Sequence, residues 1–493
     1  MNRAILRISL ACLAMFVLLL ININYVQGFE ASKLADKTGN IRVFDQQFTY
    51  QRGSIVAIGD GSPVTVAKSV LIKGTKDYRR VYPFGKLYAP ITGYDTIYSQ
   101  SAVEQAENKL LNGTDSRLTI RNLTSLLTGK QKQGATVALS ISPKAQTAAY
   151  DALLSDGGHP AGVVAMNPST GAILAMASAP TFDPNVLTTF DGTQLNKVDN
   201  QLLRAPSQPL LNRAVTPDFP PGSSFKIVTS SAAFSQHLLA NTSQPVPAPQ
   251  PLKLPNGNLL NNDGDAQCAN GMPPVIEAFY LSCNTAFAKL GIKLTAPTLR
   301  SYAEKFAFNQ TFDIPFPVTP GSFPKIPDND PSFTAFSAIG QYNDEVSPLQ
   351  EAMLASTIEN GGTLVKPYLV SRILGPGLSV IQSATTTVLD RPITPQVASN
   401  VKAMMLQVTQ NPAGTAFRTA SAQAANNIVI YGKTGTAENG VNNSNTNDAV
   451  FSCFVPGPHP IAVGVIVKGG GFGADAAAPI AVKVIEAYLA AQS

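Results

Sequence analysis

Histidine is nearly absent from this 493-residue chain, which holds three in all. His159, His237 and His459 stand alone, with no Cys or second His at ligand spacing, so the residues suggest neither a metal centre nor a histidine base. No cofactor motif is present either. Tryptophan is missing altogether. Charge is scarce too: Asp, Glu, Lys and Arg make up 14% of the chain, against about a quarter in ordinary globular domains. The net charge is +5 and no basic run exceeds Arg79-Arg80, which speaks against nucleic acid as a partner. No internal repeat is visible.

What is present begins with one long apolar run. Ile8 to Phe29 carries no charge, and Leu10 to Ile23 is almost purely apolar. About 20 such residues span a bilayer as a helix. Arg3 and Arg7 precede the run, so the stub should stay cytoplasmic and everything after Phe29 should lie outside. Asn22, Asn24, Tyr25 and Gln27 stand where a cleaved leader would place small residues. An uncleaved signal anchor in the cell membrane is expected. Length alone predicts two or three domains beyond it.

Of the four cysteines, Cys12 lies in the anchor. Cys268, Cys283 and Cys453 would face an oxidising exterior. Cys268 and Cys283 could close a short ring, which the chain-entropy model values at about 3 kcal/mol; three buried free thiols are the other reading.

Strand-like alternation runs through Phe44 to Tyr50, with further strands expected at Gln47–Arg52, Ser54–Ala57, Val64–Leu71 and Arg80–Pro83. A helix is predicted over Pro143–Leu154, with Ser142 as its cap. Gly162–Met166 and Ala172–Met176 read as two strands joined by Asn167-Pro168-Ser169-Thr170-Gly171. Near the other end, Ile428–Tyr431, Val450–Val455 and Ile461–Val467 read as strands and Ala478–Leu489 as a helix. Strands from both ends with a mostly helical middle predict an α+β domain with an antiparallel sheet and a helical subdomain.

Three short strings carry the chemistry: Ser223-Ser224-Phe225-Lys226, Ser282-Cys283-Asn284 and Lys433-Thr434-Gly435-Thr436. A Ser-x-x-Lys arises about once or twice by chance in a chain this long. Their order, about 60 and then about 150 residues apart, is harder to assign to chance. If Ser224–Ala233 is a helix, Lys226 stands one turn from Ser223 on the same face, within reach of its hydroxyl. The ordinary alternative is an N-cap serine and a solvated lysine. Ser282 and Asn284 can point a hydroxyl and an amide into one cleft, between helices expected at Val275–Leu281 and Thr285–Leu290; alone they read as a turn. Gly432–Ala437 continues the Ile428–Tyr431 strand, and Gly435 would let a ligand approach its edge closely; an edge strand with an exposed lysine is the plain alternative. Together the strings supply the parts for acyl transfer through a serine ester, with a neutral Lys226 as base, favoured by burial and by Lys433 nearby. Gly469-Gly470-Gly471-Phe472-Gly473 is only a partial match to a phosphate-cradling loop and is read as a turn.

With these residues in place, the chain resembles the class B penicillin-binding proteins, and within them an actinobacterial branch. Leu87–Tyr94, Val164–Met176, Asn212-Arg213-Ala214, Ile339-Gly340-Gln341 and Glu359-Asn360-Gly361-Gly362 carry the likeness beyond the three strings, over nearly the full chain. Where the family commonly shows His-Ala-Trp-Phe-x-Gly, this chain has Asp448-Ala449-Val450-Phe451-Ser452-Cys453.

The resemblance implies a β-lactamase-like transpeptidase domain over 136–493, a mostly β, non-catalytic pedestal over 30–135, an anchor over 8–29 and a cytoplasmic stub over 1–7. It implies a D,D-transpeptidase that cross-links peptidoglycan stem peptides and is acylated by β-lactams. Ser223 would be the nucleophile, Lys226 its base, and Ser282 and Asn284 proton relay and donor-binding groups. Lys433, Thr434, Gly435 and Thr436 would bind the terminal carboxylate, and the backbone N–H groups of Ser223 and Thr436 would form the oxyanion hole. Expected partners are a membrane glycosyltransferase and division or elongation proteins. A D,D-carboxypeptidase and a non-enzymatic β-lactam-binding scaffold are the alternatives. A serine β-lactamase would need Glu-x-x-Leu-Asn, and Glu351-Ala352-Met353-Leu354-Ala355 lacks the Asn.

Overall fold

The computed structural model describes residues 3–30, 34, 48–118, 133–420, 428–438 and 445–492. Helix Arg3–Tyr25 continues through a π-helical turn at Val26–Glu30. Ile5–Glu30, with a mean hydropathy of 2.4 and no buried residue, is long and apolar enough to cross a membrane. The expected strand at Phe44–Tyr50 lies partly outside the described residues. Within them, Phe48–Tyr50 is a turn and Gln51 makes only an isolated bridge to Gln133, so the described part of the expected Gln47–Arg52 strand, from Phe48 on, is not a strand.

Two sheets organise the rest. The first runs in the order Val380–Ser383, Val370–Leu374, Thr136–Leu139, Ile55–Ala57, Val64–Leu71, Tyr78–Val81. Its pairs are antiparallel except Ile55–Ala57 with Thr136–Leu139. Two strands from far along the chain thus complete a sheet begun near the N-terminus. The Arg80–Pro83 strand is found at Tyr78–Val81, ending before Tyr82. A buried ionic cluster ties this region together: Glu104 accepts from Arg52 at 2.7 Å and from Arg80 at 2.6 Å.

The second sheet has five strands, all antiparallel, in the order Tyr431–Ala437, Asp448–Val455, Ile461–Val467, Ala161–Met166, Ile173–Ala179. Every residue of Asp448–Val455, Ile461–Val467, Ala161–Met166 and Ile173–Ala179 is buried. That demands cover on both faces, which explains why these runs are continuously apolar rather than alternating. Helices Pro143–Ser155, Ala477–Gln492 and Pro348–Glu359 supply it. Ser142 caps the first, its hydroxyl accepting from the Ala145 N–H at 3.2 Å.

Three expectations shift at their edges. The edge strand begins at Tyr431, not Ile428, and it contains the whole Lys433 string. The helix after the first string begins at Lys226, because Gly222–Phe225 is a tighter 3₁₀ turn. The helices around the second string are Val275–Tyr280 and Asn284–Leu294. Where the family's His-Ala-Trp-Phe pattern is replaced, the strand Asp448–Val455 pairs in full register on both sides.

Candidate active site

A 3₁₀ turn eclipses side chains three apart, and the Gly222–Phe225 turn does this to Ser223 and Lys226. Phe225, between them, points inward and packs on Phe308 and Phe323 with ring centroids at 5.6 Å. With Phe225 pinned in the core, Ser223 keeps 8% exposure at the cleft while Lys226 is fully buried. The Lys226 Nζ lies 2.9 Å from Ser223 Oγ.

The second string joins them through an unusual backbone. Ser282 sits at φ +60° between the two helices, a conformation that non-glycine residues adopt rarely and that clusters at functional sites. Its carbonyl oxygen accepts from Lys226 Nζ at 2.8 Å, and Asn284 Oδ1 accepts from the same nitrogen at 2.7 Å. These two oxygens can only accept. A neutral amine has two hydrogens for them and one lone pair left, directed at the Ser223 hydroxyl. The hydrogen-bond pattern therefore suits a lysine that takes the serine proton.

Electrostatics favour the same state. Burial, then the Lys433 cation, holds the Lys226 amine well below the ordinary lysine range, against the pull of Asp263. Burial pushes Lys433 down to about 7, again opposed by Asp263. Both nitrogens stand over aromatic faces, Lys226 over Phe287 and Lys433 over Phe279, each at 5.6 Å from the ring centroid.

The third string enters along the sheet edge. Lys433 Nζ donates to Ser282 Oγ at 2.9 Å and to the Thr434 carbonyl at 3.0 Å. Thr434 Oγ1 shares a 2.7 Å hydrogen bond with Thr415 Oγ1. The Thr436 carbonyl accepts from Gln341 Nε2 at 3.0 Å. In an antiparallel strand the N–H and C=O of one residue point the same way, so the Thr436 N–H also faces away from the sheet, toward the cleft. Gly435 is needed for a reason other than ligand approach. A Cβ there would stand 2.5 Å from the Pro221 carbonyl, so the glycine lets the Ser223 turn press against the strand.

All eight residues of the three strings singled out for chemistry thus converge. A cleft of about 640 Å³ opens above them, lined by Ser223, Asn284 and Thr436 together with Asp263, Gln341 and Glu438. Asp263 and Gln341 were not assigned roles by sequence. Asp263 accepts from Asn284 Nδ2 at 3.2 Å, which fixes the amide so that Oδ1 faces Lys226. Asn262 Oδ1 accepts from the Thr285 N–H at 3.0 Å. Cys268 and Cys283 are bonded, with Cα atoms 5.9 Å apart, tying the 261–268 loop to the second string. Cys453 is free and buried.

The chain as a whole is similar to known proteins. Residues 161–486 match the family described as the penicillin binding protein transpeptidase domain, and residues 52–137 match the penicillin binding protein A dimerisation domain. The peptidoglycan D,D-transpeptidase PbpA of Mycolicibacterium smegmatis is 38% identical over 99% of both chains. Its Mycobacterium tuberculosis counterpart is 36% identical, again over 99% of each. Among solved structures, the imipenem acyl-enzyme of M. tuberculosis penicillin-binding protein A superposes with a TM-score of 0.83 at 36% identity, covering 90% of this chain and 99% of that one. A D,D-transpeptidase domain from Eggerthella lenta gives 0.76 at 29% identity, over 90% and 99%.

Proposed function

We propose that this chain, which belongs to the class B penicillin-binding protein family, cross-links peptidoglycan as a D,D-transpeptidase with Ser223 as its nucleophile. The observation that carries the residue assignment is the Lys226 amine, 2.9 Å from Ser223 Oγ with its two hydrogens committed to Ser282 O and Asn284 Oδ1.

Ser223 Oγ attacks the penultimate D-Ala carbonyl of a donor stem while its proton passes to Lys226 Nζ. The tetrahedral oxyanion is received by the backbone N–H groups of Ser223 and Thr436. Collapse breaks the peptide bond, and the departing D-Ala amine takes the proton back through Lys226 or Ser282 Oγ. The ester then passes to the amine of an acceptor stem, which gives up a proton to the same base. Asn284 holds the donor backbone. Lys433, with Thr434 and Thr436, binds the terminal carboxylate, and Gly435 keeps that strand against the nucleophile's turn. A β-lactam follows the first half of this path and stops at the ester.

The N-terminal apolar helix is a candidate membrane span. We infer that it anchors the protein in the cell membrane with the catalytic domain outside, where stem peptides are met. Residues 30–135 then act as a non-catalytic pedestal for 136–493, contacting a membrane glycosyltransferase and division or elongation proteins. The reaction is tested with a synthetic stem peptide ending in D-Ala-D-Ala and a D-amino acid acceptor. Release of D-Ala with formation of the exchanged peptide is expected for the native protein and loss of both for Ser223→Ala. Release of D-Ala to water alone would identify a carboxypeptidase.

A further inference from the structure

Directly behind the nucleophile lies a carboxyl group that the reaction does not use. Glu351 occupies the first turn of helix Pro348–Glu359 and is fully buried. Gly464 seats it: a Cβ on Gly464 would collide with the Pro348 carbonyl and the Glu351 Cβ, so only glycine lets the helix lie flat on the sheet there. Ser452, opposite both Lys433 and Gly464 in the strand register, donates to the Glu351 backbone carbonyl at 2.8 Å. The carboxyl itself meets the Ser223 turn: Glu351 Oε1 stands 2.7 Å from Ser224 Oγ.

The protons around Ser224 have to be counted. Ser224 Oγ also lies 2.9 Å from the Pro221 carbonyl oxygen. A hydroxyl has one hydrogen, yet it has two oxygens at bonding distance. The Pro221 carbonyl can only accept. Both contacts are satisfied if the carboxyl contributes the second hydrogen, giving a chain Glu351 O–H to Ser224 Oγ–H to Pro221 O. The other carboxyl oxygen, Oε2, is buried with no hydrogen-bond partner among the described residues. A neutral acid tolerates that, whereas an anion does not.

We infer that Glu351 is a positioning residue that works as a neutral carboxylic acid, donating to Ser224 and through it holding the turn that presents Ser223. This rests on the reading of Ser223 as nucleophile. Burial pushes the Glu351 carboxyl up to about 7, with the Ser224 and Ser452 hydroxyls opposing. Titratable groups on the elements packed around it are Lys226, Lys433, Asp448, Cys453 and Lys402; none of them bonds the carboxyl. Above its pKa the donated proton goes to solvent, Ser224 turns its own hydrogen to the buried anion, and the Pro221 carbonyl keeps only the longer bond from the Ser224 N–H at 3.4 Å. The turn then loosens, so acylation slows on the alkaline side. Loss of the Lys433 charge also weakens the site on the alkaline side, but through carboxylate binding rather than through the turn that presents Ser223.

The experiment follows the acylation rate constant of the full chain at saturating penicillin between pH 5 and 10. Saturation separates this limb from weaker carboxylate binding as Lys433 loses its charge. The native rate constant should fall above pH 7 by up to about tenfold per unit, as one ionisation allows. Glu351→Gln, whose amide reproduces the neutral donor, should stay within about threefold of native below pH 7 and lose the alkaline fall. Glu351→Leu should be about tenfold slower or more than Glu351→Gln at every pH, and Ser224→Ala should also lose the alkaline fall. An unchanged alkaline fall in Glu351→Gln, a leucine variant as fast as the glutamine one, or a glutamine variant that does not fold would overturn the inference. Ser223→Ala is run beside them: if it still forms the adduct, the fault lies with the nucleophile assignment instead.

Discussion

Lys226 and Lys433 converge on a single hydroxyl, Ser282 Oγ, from 3.4 and 2.9 Å. Two ammonium groups this close in a dry site repel strongly, so the pair settles with Lys226 neutral and Lys433 the cation. In the proposed reaction that division of charge would give each its task, the neutral amine taking protons and the ammonium attracting a carboxylate. Ser282, between them, is the path by which a proton can move.

Replacing Lys226 by arginine keeps a long cation but removes the neutral state, because a guanidinium does not deprotonate in proteins. Lys226→Arg should therefore lose penicillin acylation by about a thousandfold or more. Stopped-flow labelling measures the rate, and a cooperative thermal transition shows that the fold persists.

Acylation in the native protein should fall as pH drops, because the neutral Lys226 needed as base is protonated as pH passes below its depressed pKa. Stability carries a related signature. The Lys433 pKa is lowered on folding from 10.5 to about 7. Its contribution is fully present above pH 10.5 and is lost as pH falls toward 7, amounting to a few kcal/mol in order of magnitude. The native melting temperature should drop across that window relative to Lys433→Met, measured side by side.

The Cys268–Cys283 bond joins residues 15 apart in sequence beside the second string, a constraint of about 3 kcal/mol by the chain-entropy model. Reductant should lower the melting temperature and slow acylation, because Asp263 and Asn262 hold Asn284 and Thr285 from the same loop. A Cys268→Ala/Cys283→Ala protein should be slow from the start and indifferent to reductant. Equal responses in both proteins would contradict this.

Beside the first sheet, Glu104 on helix Ala102–Ala106 holds two guanidinium groups, and both it and Arg80 are buried. Glu104→Ala would leave the buried Arg80 without its ion-pair partner and Arg52 with Asp95 alone, at 3.6 Å, and should cost about 3–5 kcal/mol. Urea denaturation of the native and variant proteins measures it.

The three strings were legible because their chemistry is local. Ser223 and Lys226 must share a turn, and Ser282 and Asn284 must flank one residue, so the three strings taken together and in order expose them, although each alone reads as an ordinary cap or turn. The hairpin at Ala161–Ala179 was equally plain, its turn residues bounded by apolar runs. What stayed hidden was set by distance along the chain. Glu351 meets Ser224 across 127 residues, and nothing near it in sequence announces a proton donor. Asp263 and Gln341 likewise gain their roles only when loops close over the site. Strands Val370–Leu374 and Val380–Ser383 cross to a sheet begun more than 200 residues earlier, a pairing that local alternation cannot encode. Gly435 reads in the sequence as room for a ligand at the strand edge, whereas the neighbour that needs the room in the structure is the Pro221 turn.

The central claim is that Ser223 forms the acyl bond. Incubating the full chain with penicillin, digesting it and locating the adduct by mass spectrometry tests it most directly. The account predicts one adduct, on the peptide containing Ser223, absent from Ser223→Ala. An adduct on any other residue, or one that persists in Ser223→Ala, would contradict it.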